Sequence, residues 1–294
     1  MASADAVPEF DNLTAFDNLP AAPLQQVLLC GDIHSNAEVA ARVSAVATDE
    51  GCAVVLQVGD LGWRPGDERS AEMCEAVAGG GVPWVFVDGN HEHLGDLASR
   101  AAPHRSQRSP DGFDPDPDGL WGPTEPIQIA PMLWWAARGS RWTWRGTSFG
   151  ALGGAWSPGW HYRQRGWRWF PRETISRRDL DALGDEPLDV LVCHDVPARE
   201  LVGEGSGFAR RGDTQIGEAN SAQVRAAARR TGARLVVHGH WHVGHSSLLD
   251  TGRAELTEVV GLAANGEPGS LAVLDPVTLQ LRSAGPGGAE NRQR

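Results

Sequence analysis

Apolar and polar positions along the chain fall into two alternating periods. Short runs of mostly aliphatic residues, Val27 to Cys30, Ala53 to Val58 and Trp84 to Val87, read as buried strands, being apolar at nearly every position yet too short for a helix. After the first run, Val39, Val43 and Val46 recur at i, i+4 and i+7 behind Asn36, whose side chain suits a helix N-cap. A second helical stretch, Glu68 to Ala78, follows the next run and stops at Gly79-Gly80-Gly81. Strand and helix in alternation predict α/β wiring with parallel strands.

The second half repeats the theme. Strands are predicted at Met132 to Ala136, Arg141 to Trp144 and Thr147 to Leu152, the last two joined as a hairpin at Arg145-Gly146. Leu188 to Cys193 and Leu235 to Val237 bracket a helix near Ser221 to Arg230, and strands at Thr257 to Val260 and Ser270 to Leu274 close the domain. Residues 99–126, rich in Pro, Asp and Gly, read as a loop insertion. Residues 1–24 are acidic and hold a short repeat, Phe10-Asp11-Asn12-Leu13 and Phe16-Asp17-Asn18-Leu19. They read as a flexible tail, as do residues 283–294, which leaves 25–282 as a single domain.

Charge and cysteine usage narrow the function classes. With 26 basic and 38 acidic residues the net charge is −12, which repels nucleic-acid backbones and anionic membranes and argues against non-specific binding to either. No apolar run approaches the ~20 residues of a membrane span. Cys30, Cys52, Cys74 and Cys193 are too widely spaced for a CxxC knuckle or a disulfide framework, so a reduced, cytoplasmic setting is expected.

The chemistry sits at the ends of the predicted strands. Asp32 and His34 follow the first, Asp60 the second, Asn90 the third, His194 the fourth, and His240 and His242 the fifth. In an α/β sheet the crevice beyond the strand C-termini is where ligands bind, so residues distant in sequence converge there. A lone histidine is most often structural, but seven nitrogen and oxygen donors from five strand ends form a metal-ligand set. Imidazole and oxygen donors without thiolate suit Mn, Fe, Zn, Co or Ni. If one carboxylate bridges two divalent ions, each ion keeps three further ligands, the arrangement that clamps both oxygens of an in-line displacement.

The motifs carrying these residues are GDIH (31–34), GD (59–60), GNHE (89–92), CHD (193–195) and GHWH (239–242). Together they resemble the calcineurin-like metallophosphoesterase superfamily, over roughly residues 27 to 245. The resemblance implies two stacked mixed β-sheets flanked by helices, a four-layer sandwich. It also implies that Asp32, His34 and His242 hold one ion, that Asn90, His194 and His240 hold the other, and that Asp60 bridges them. His91 corresponds to the family's catalytic histidine. It would stabilise the phosphorane-like transition state or protonate the leaving oxygen while a bridging hydroxide attacks phosphorus. A non-catalytic metal-binding scaffold would be expected to have lost ligands, and here none is missing.

Substrate choice is sought outside these motifs. Residues 134–178 hold eight of the twelve tryptophans, nine arginines and one acid, Glu173, a local charge of 9 − 1 = +8 in an acidic chain. Trp142 and Trp144 alternate with Arg141 and Thr143, as on the buried face of a strand. The loop Gly154 to Pro171 is expected to wall the cleft, with Arg163, Arg165 and Arg168 gripping phosphate and indoles available to stack on a base. Arg64, four residues after Asp60, matches the phosphate-binding arginine of Ser/Thr protein phosphatases. Yet Trp63 and Leu94 replace other residues of that branch, and its GHWH pair is atypical there. Small-molecule phosphodiesterases usually carry GNHD instead of GNHE. The expected substrate is a phosphomonoester or phosphodiester, a small molecule or nucleotide, with a protein phosphatase or nuclease as alternatives.

Overall fold

The computed structural model describes residues 26–108, 116, 118–123, 125–158, 160–202 and 214–284. The expectations for residues 1–24 and for 285–294 lie outside them. Strands β1 (Gln26–Cys30), β2 (Cys52–Gln57), β3 (Trp84–Phe86), β4 (Ile127–Ala130) and β5 (Leu133–Trp135) come first, with helices α1 (Ala37–Asp49), α2 (Glu68–Gly79) and α3 (Leu94–Arg108). Then follow β6 (Arg141–Trp144), β7 (Thr147–Leu152), α4 (Arg177–Leu183), β8 (Val190–Cys193), α5 (Thr214–Thr231) and β9 (Leu235–His238). The last elements are β10 (His245–Leu249), β11 (Thr257–Gly261), β12 (Leu271–Leu274) and β13 (Leu281–Ser283).

The strands form two mixed sheets, ordered β13-β12-β1-β2-β3-β5-β4 and β10-β11-β9-β8-β7-β6. In the first, β1, β2, β3 and β5 run parallel; in the second, β7, β8, β9 and β11 do. Period-two alternation assigns each strand's side chains to two layers. Val27 and Leu29 of β1 join Val190 and Val192 of β8 in the core between the sheets. Leu28 and Cys30 instead face the core under α1 and α2, and Leu191 and Cys193 face the core under α4 and α5. Strands that are apolar at every position are thus buried on both faces, and a helix–sheet–sheet–helix sandwich results.

Local signals operate as the sequence predicts at several points. Asn36 caps α1 by accepting from the Val39 N–H at 3.1 Å. The β6–β7 hairpin turns on Arg145 and Gly146, both at positive φ (49° and 81°), the twist that two-residue hairpins require. Trp142 and Trp144 are buried between the sheets, Trp142 stacking on Phe149 with centroids 5.6 Å apart.

Other expectations need correction. Residues 99–108 of the supposed loop insertion belong to α3, because Leu94, Leu97, Ala98 and Ala101 recur at helical spacing and bury against the first sheet's outer layer. Pro103 inside that helix gives it the look of a loop. Ser283, assigned to a tail, ends β13, which pairs with β12. The short strands β4, β10 and β13 and the seven-residue α4 have no counterpart in the expected elements.

Behind the third strand's end lies a buried ion triad. The Arg138 guanidinium donates to Asp88 from Nε (3.0 Å) and Nη2 (2.8 Å), and to Asp179 from Nη1 (3.1 Å). It also donates to the Glu173 and Thr174 carbonyls at 3.1 and 3.0 Å. Three buried charges are tolerated because each is paired and its remaining sites are filled. Arg138→Ala would leave two buried carboxylates without their partner, and urea denaturation should show a loss of about 3–5 kcal/mol.

Candidate metal centre

Both sheets turn their parallel strands' C-terminal ends to the same edge. β1, β2 and β3 deliver Asp32, His34, Asp60 and Asn90; β8 and β9 of the second sheet deliver His194, His240 and His242. The seven predicted ligand positions therefore come together where the two sheets meet: His34, Asp60, Asn90, His240 and His242 line a cleft of about 540 Å³, and Asp32 and His194 are buried. Donor atoms of Asp32, His34 and His242 lie within 4.8 Å of one another, and so do those of Asp60, His194 and His240. Asn90 lines the same cleft as His34, Asp60, His240 and His242.

Asp60 connects the loops. Its backbone carbonyl accepts from the N–H groups of Ile33 (3.2 Å) and His34 (2.9 Å), and its carboxylate accepts from the His91 N–H at 2.8 Å. His194 Nε2 stands 3.3 Å from Asp60 Oδ1 and His34 Nδ1 3.9 Å from Oδ2. Burial opposes ionisation of Asp60, but the His194 and His91 rings outweigh it and hold the carboxyl well below its ordinary range. Burial likewise favours neutral His194, yet Asp60, followed by Asp32 and Glu92, raises it to about 10.

The donors fit divalent ions. His194 Nδ1 faces the Val58 carbonyl at 2.8 Å, and since a carbonyl only accepts, Nδ1 carries a proton, while Nε2, whose proton a bound ion would displace, is the nitrogen suited to a ligand role. Among the described residues, His194 Nε2, Asn90 Oδ1 and His34 Nδ1 are buried and make no hydrogen bond. Such atoms are costly unless something coordinates them. His242 Nε2 sits 3.0 Å from Asp32 Oδ2 and 3.1 Å from His34 Nε2, a nitrogen–oxygen grouping of the type that Mn, Fe, Zn, Co or Ni takes.

The backbone is forced at these positions. His34, Asp60, His240 and His242 have φ of 50°, 55°, 66° and 54°, the left-handed region that costs non-glycine residues roughly 1–2 kcal/mol each. Glycines keep the space open: a Cβ on Gly89 would fall on Asp60 and His194, and one on Gly239 would fall on the Asp32 carboxylate. Only a residue without a side chain lets the loops approach so closely.

Glu92, the last residue of GNHE, is not in the cleft. Buried beneath it, its carboxylate accepts from the Gly62 N–H at 2.8 Å and from the Gly89 N–H, bracing the GD loop against the GNHE loop. Burial pushes its carboxyl up to about 8, with nearby Asp60 adding to the rise. His91 Nε2 lies 4.0 Å from Asp60 Oδ2 and accepts from Arg163 Nη2 at 3.2 Å. Burial brings His91 down to about 4 despite the opposing pull of Asp60. His238 and His245 face each other, Nε2 to Nε2, at 3.0 Å, and neither lines the cleft.

The arginine expectations separate. Arg163 and Arg168 line the cleft with Pro158, so the loop after β7 does form one wall; Arg165 is exposed outside it. Arg64 also lines the cleft, but donates to the His91 carbonyl at 2.7 Å and the Trp167 carbonyl at 3.1 Å, tying the GNHE loop to the wall. Arg69 joins the lining without having been predicted. Among the described residues no indole lines it: Trp160 packs on Trp169 at 4.9 Å and Trp167 on His93 at 5.3 Å, so the expected base-stacking surface is loop scaffolding instead. Sequence reasoning also missed Ser157 and Glu173. The serine accepts from Asn90 Nδ2 at 3.2 Å, and the glutamate receives both the serine's N–H and its O–H at 2.7 Å.

No curated protein matches the sequence. Among solved structures, a protein of Thermus thermophilus is similar over 89% of this chain and 98% of its own, with 15% identity and a TM-score of 0.50. A dimetal phosphatase from Danio rerio is similar over 90% of this chain and 97% of its own, with 13% identity and a TM-score of 0.50. Likenesses at such identity speak to the fold, the two-sheet sandwich. The sequence profile described as calcineurin-like phosphoesterase matches residues 26–244, spanning all five motifs and both sheets' site-bearing strands. By that match the chain belongs to the calcineurin-like phosphoesterase family.

Proposed function

We propose that the protein is a dinuclear metal-dependent hydrolase of phosphomonoesters or phosphodiesters, acting on a small anionic molecule or nucleotide. The observation that carries this reading is the run of overlapping donor groups, Asp32 with His34 and His242, His34 with Asp60 and His91, and Asp60 with His194 and His240, together with buried atoms of His34, Asn90 and His194 that make no hydrogen bond among the described residues. Asp32, His34 and His242 are read as one ion's ligands, Asn90, His194 and His240 as the other's, and Asp60 as the bridge. Two divalent ions so held would supply Lewis-acid polarisation of the phosphoryl oxygens and activation of a water nucleophile.

The chain's own groups do the rest. His91, beside Asp60 and at the cleft surface, is read as the catalytic histidine; with its pKa lowered by burial and a hydrogen bond accepted from Arg163, it suits steadying charge at phosphorus better than protonating the leaving oxygen. Arg163 and Arg168 are read as substrate contacts, since guanidinium groups hold phosphate oxygens with two parallel N–H donors. Arg64 acts mainly through the two carbonyls it ties together. Leu94, buried at the start of α3 where a protein phosphatase of this superfamily would offer a second arginine, weighs against that branch.

The decisive measurement is metal analysis of the purified chain followed by mono-aryl and bis-aryl phosphate turnover with Mn, Zn, Ni, Co and Fe. Two ions per chain and metal-dependent hydrolysis are expected, and folded protein inactive with every ion would refute the enzyme. His91→Ala should lower kcat by about 10²–10⁴-fold while metal content stays at the wild-type level. Arg163→Ala should raise KM for the best substrate, with Arg165→Ala changing it far less. Equal KM in wild type and Arg163→Ala would remove the arginine from the substrate site.

A further inference from the structure

We propose that Ser157 and Glu173 are positioning residues that decide which atom of Asn90 faces the metal centre and hold Arg163 against His91. The inference rests on the metallohydrolase reading above. Neither residue lies in one of the five motifs.

The argument is a count of donors and acceptors. A serine hydroxyl has one proton to give and two lone pairs to fill. Glu173 takes the proton: its Oε2 accepts from Ser157 Oγ and its Oε1 from Ser157 N–H, both at 2.7 Å. With its proton committed, Ser157 Oγ can only accept. One lone pair takes Arg163 Nη1 at 3.1 Å, a group that can only donate. The other takes Asn90 at 3.2 Å, and the amide must present its NH₂ there. Asn90 Oδ1 is thereby turned the other way, buried and without a hydrogen bond among the described residues. An oxygen donor is left to the ion where an amide turned over would offer nitrogen that cannot coordinate.

The same hydroxyl serves the second function. Arg163 bonds Ser157 through Nη1 and His91 through Nη2, so the guanidinium bridges the serine and the histidine. Glu173 is itself fixed, its backbone carbonyl accepting from Arg138 of the buried triad at 3.1 Å. Ser157 and Glu173 are both buried, which shields the relay from competing water. Burial raises the Glu173 carboxyl to about 7, against the pull of the Ser157 donors and Arg163.

The test uses the full chain stripped of metal and titrated with Mn²⁺ alone by calorimetry, at about pH 8.5, above the Glu173 pKa of about 7. Ser157→Ala should weaken one of two Mn²⁺ sites by about 10–100-fold and leave the other unchanged. Glu173→Gln is isosteric but cannot accept from both the N–H and the O–H, so it should weaken the same site. The double variant should be no worse than Ser157→Ala, because the glutamate acts through the serine. With the best phosphoester substrate, both single variants should lower kcat and also raise KM, as Arg163 loses its anchor. Two outcomes overturn the proposal: wild-type Mn²⁺ binding by folded Glu173→Gln, or additive losses in the double variant. If Ser157→Ala does not fold, Glu173→Gln alone decides. Wild-type protein that binds no Mn²⁺ and hydrolyses nothing would overturn the parent reading, which variants alone cannot do.

Discussion

A carboxylate shut between two sheets is stable only if donors and positive charge enclose it, and Asp60 sets that requirement for the whole edge of the molecule. It is 2% exposed, yet held ionised. Its carbonyl gathers the GDIH loop, its carboxylate gathers the GNHE loop, and His194 approaches from the other sheet. A buried charge of this kind costs several kcal/mol unless compensated. The compensation comes from strands of both sheets, so the site cannot form in either sheet alone.

Much of this was legible in the sequence, and the reason is geometric. Strands buried on both faces read as continuous apolar runs, and the polar residues within a few positions after each run mark the strand's end. That rule located Asp32, Asp60, Asn90, His194 and His240 without any distance information. It fails where an element is half-buried. β10 alternates partial exposure with solvent, and α3 hides its apolar stripe behind Pro103 and a polar face. The capping box at Ser176 and Asp179 was a readable start signal for α4, whose brevity kept its periodicity weak.

The supporting groups were illegible for a different reason. Ser157 meets Asn90 across 67 residues and Arg64 meets Trp167 across 103, contacts that exist only once the loop after β7 has folded back over the site. One clue was available: Glu173 is the sole acid among nine arginines in residues 134–178, and an isolated charge of opposite sign implies a specific partner. Tryptophan abundance pointed the wrong way. Its indoles build the wall, and Arg163 and Arg168 among them face the cleft. Glutamate at the end of GNHE is similarly a brace whose length spans two loop N–H groups, not a reporter of substrate.

The left-handed backbone at His34, Asp60, His240 and His242 has a consequence for how the molecule is built. Glycine adopts that conformation at little steric cost, whereas histidine does not. At each of these positions the residue that would best suit the chain's own conformation is one that carries no donor. The edge bearing the chemistry is therefore held off its conformational optimum by the sandwich behind it. Stability and function compete there residue by residue, and a sequence selected only for a more stable fold would erode its ligands first.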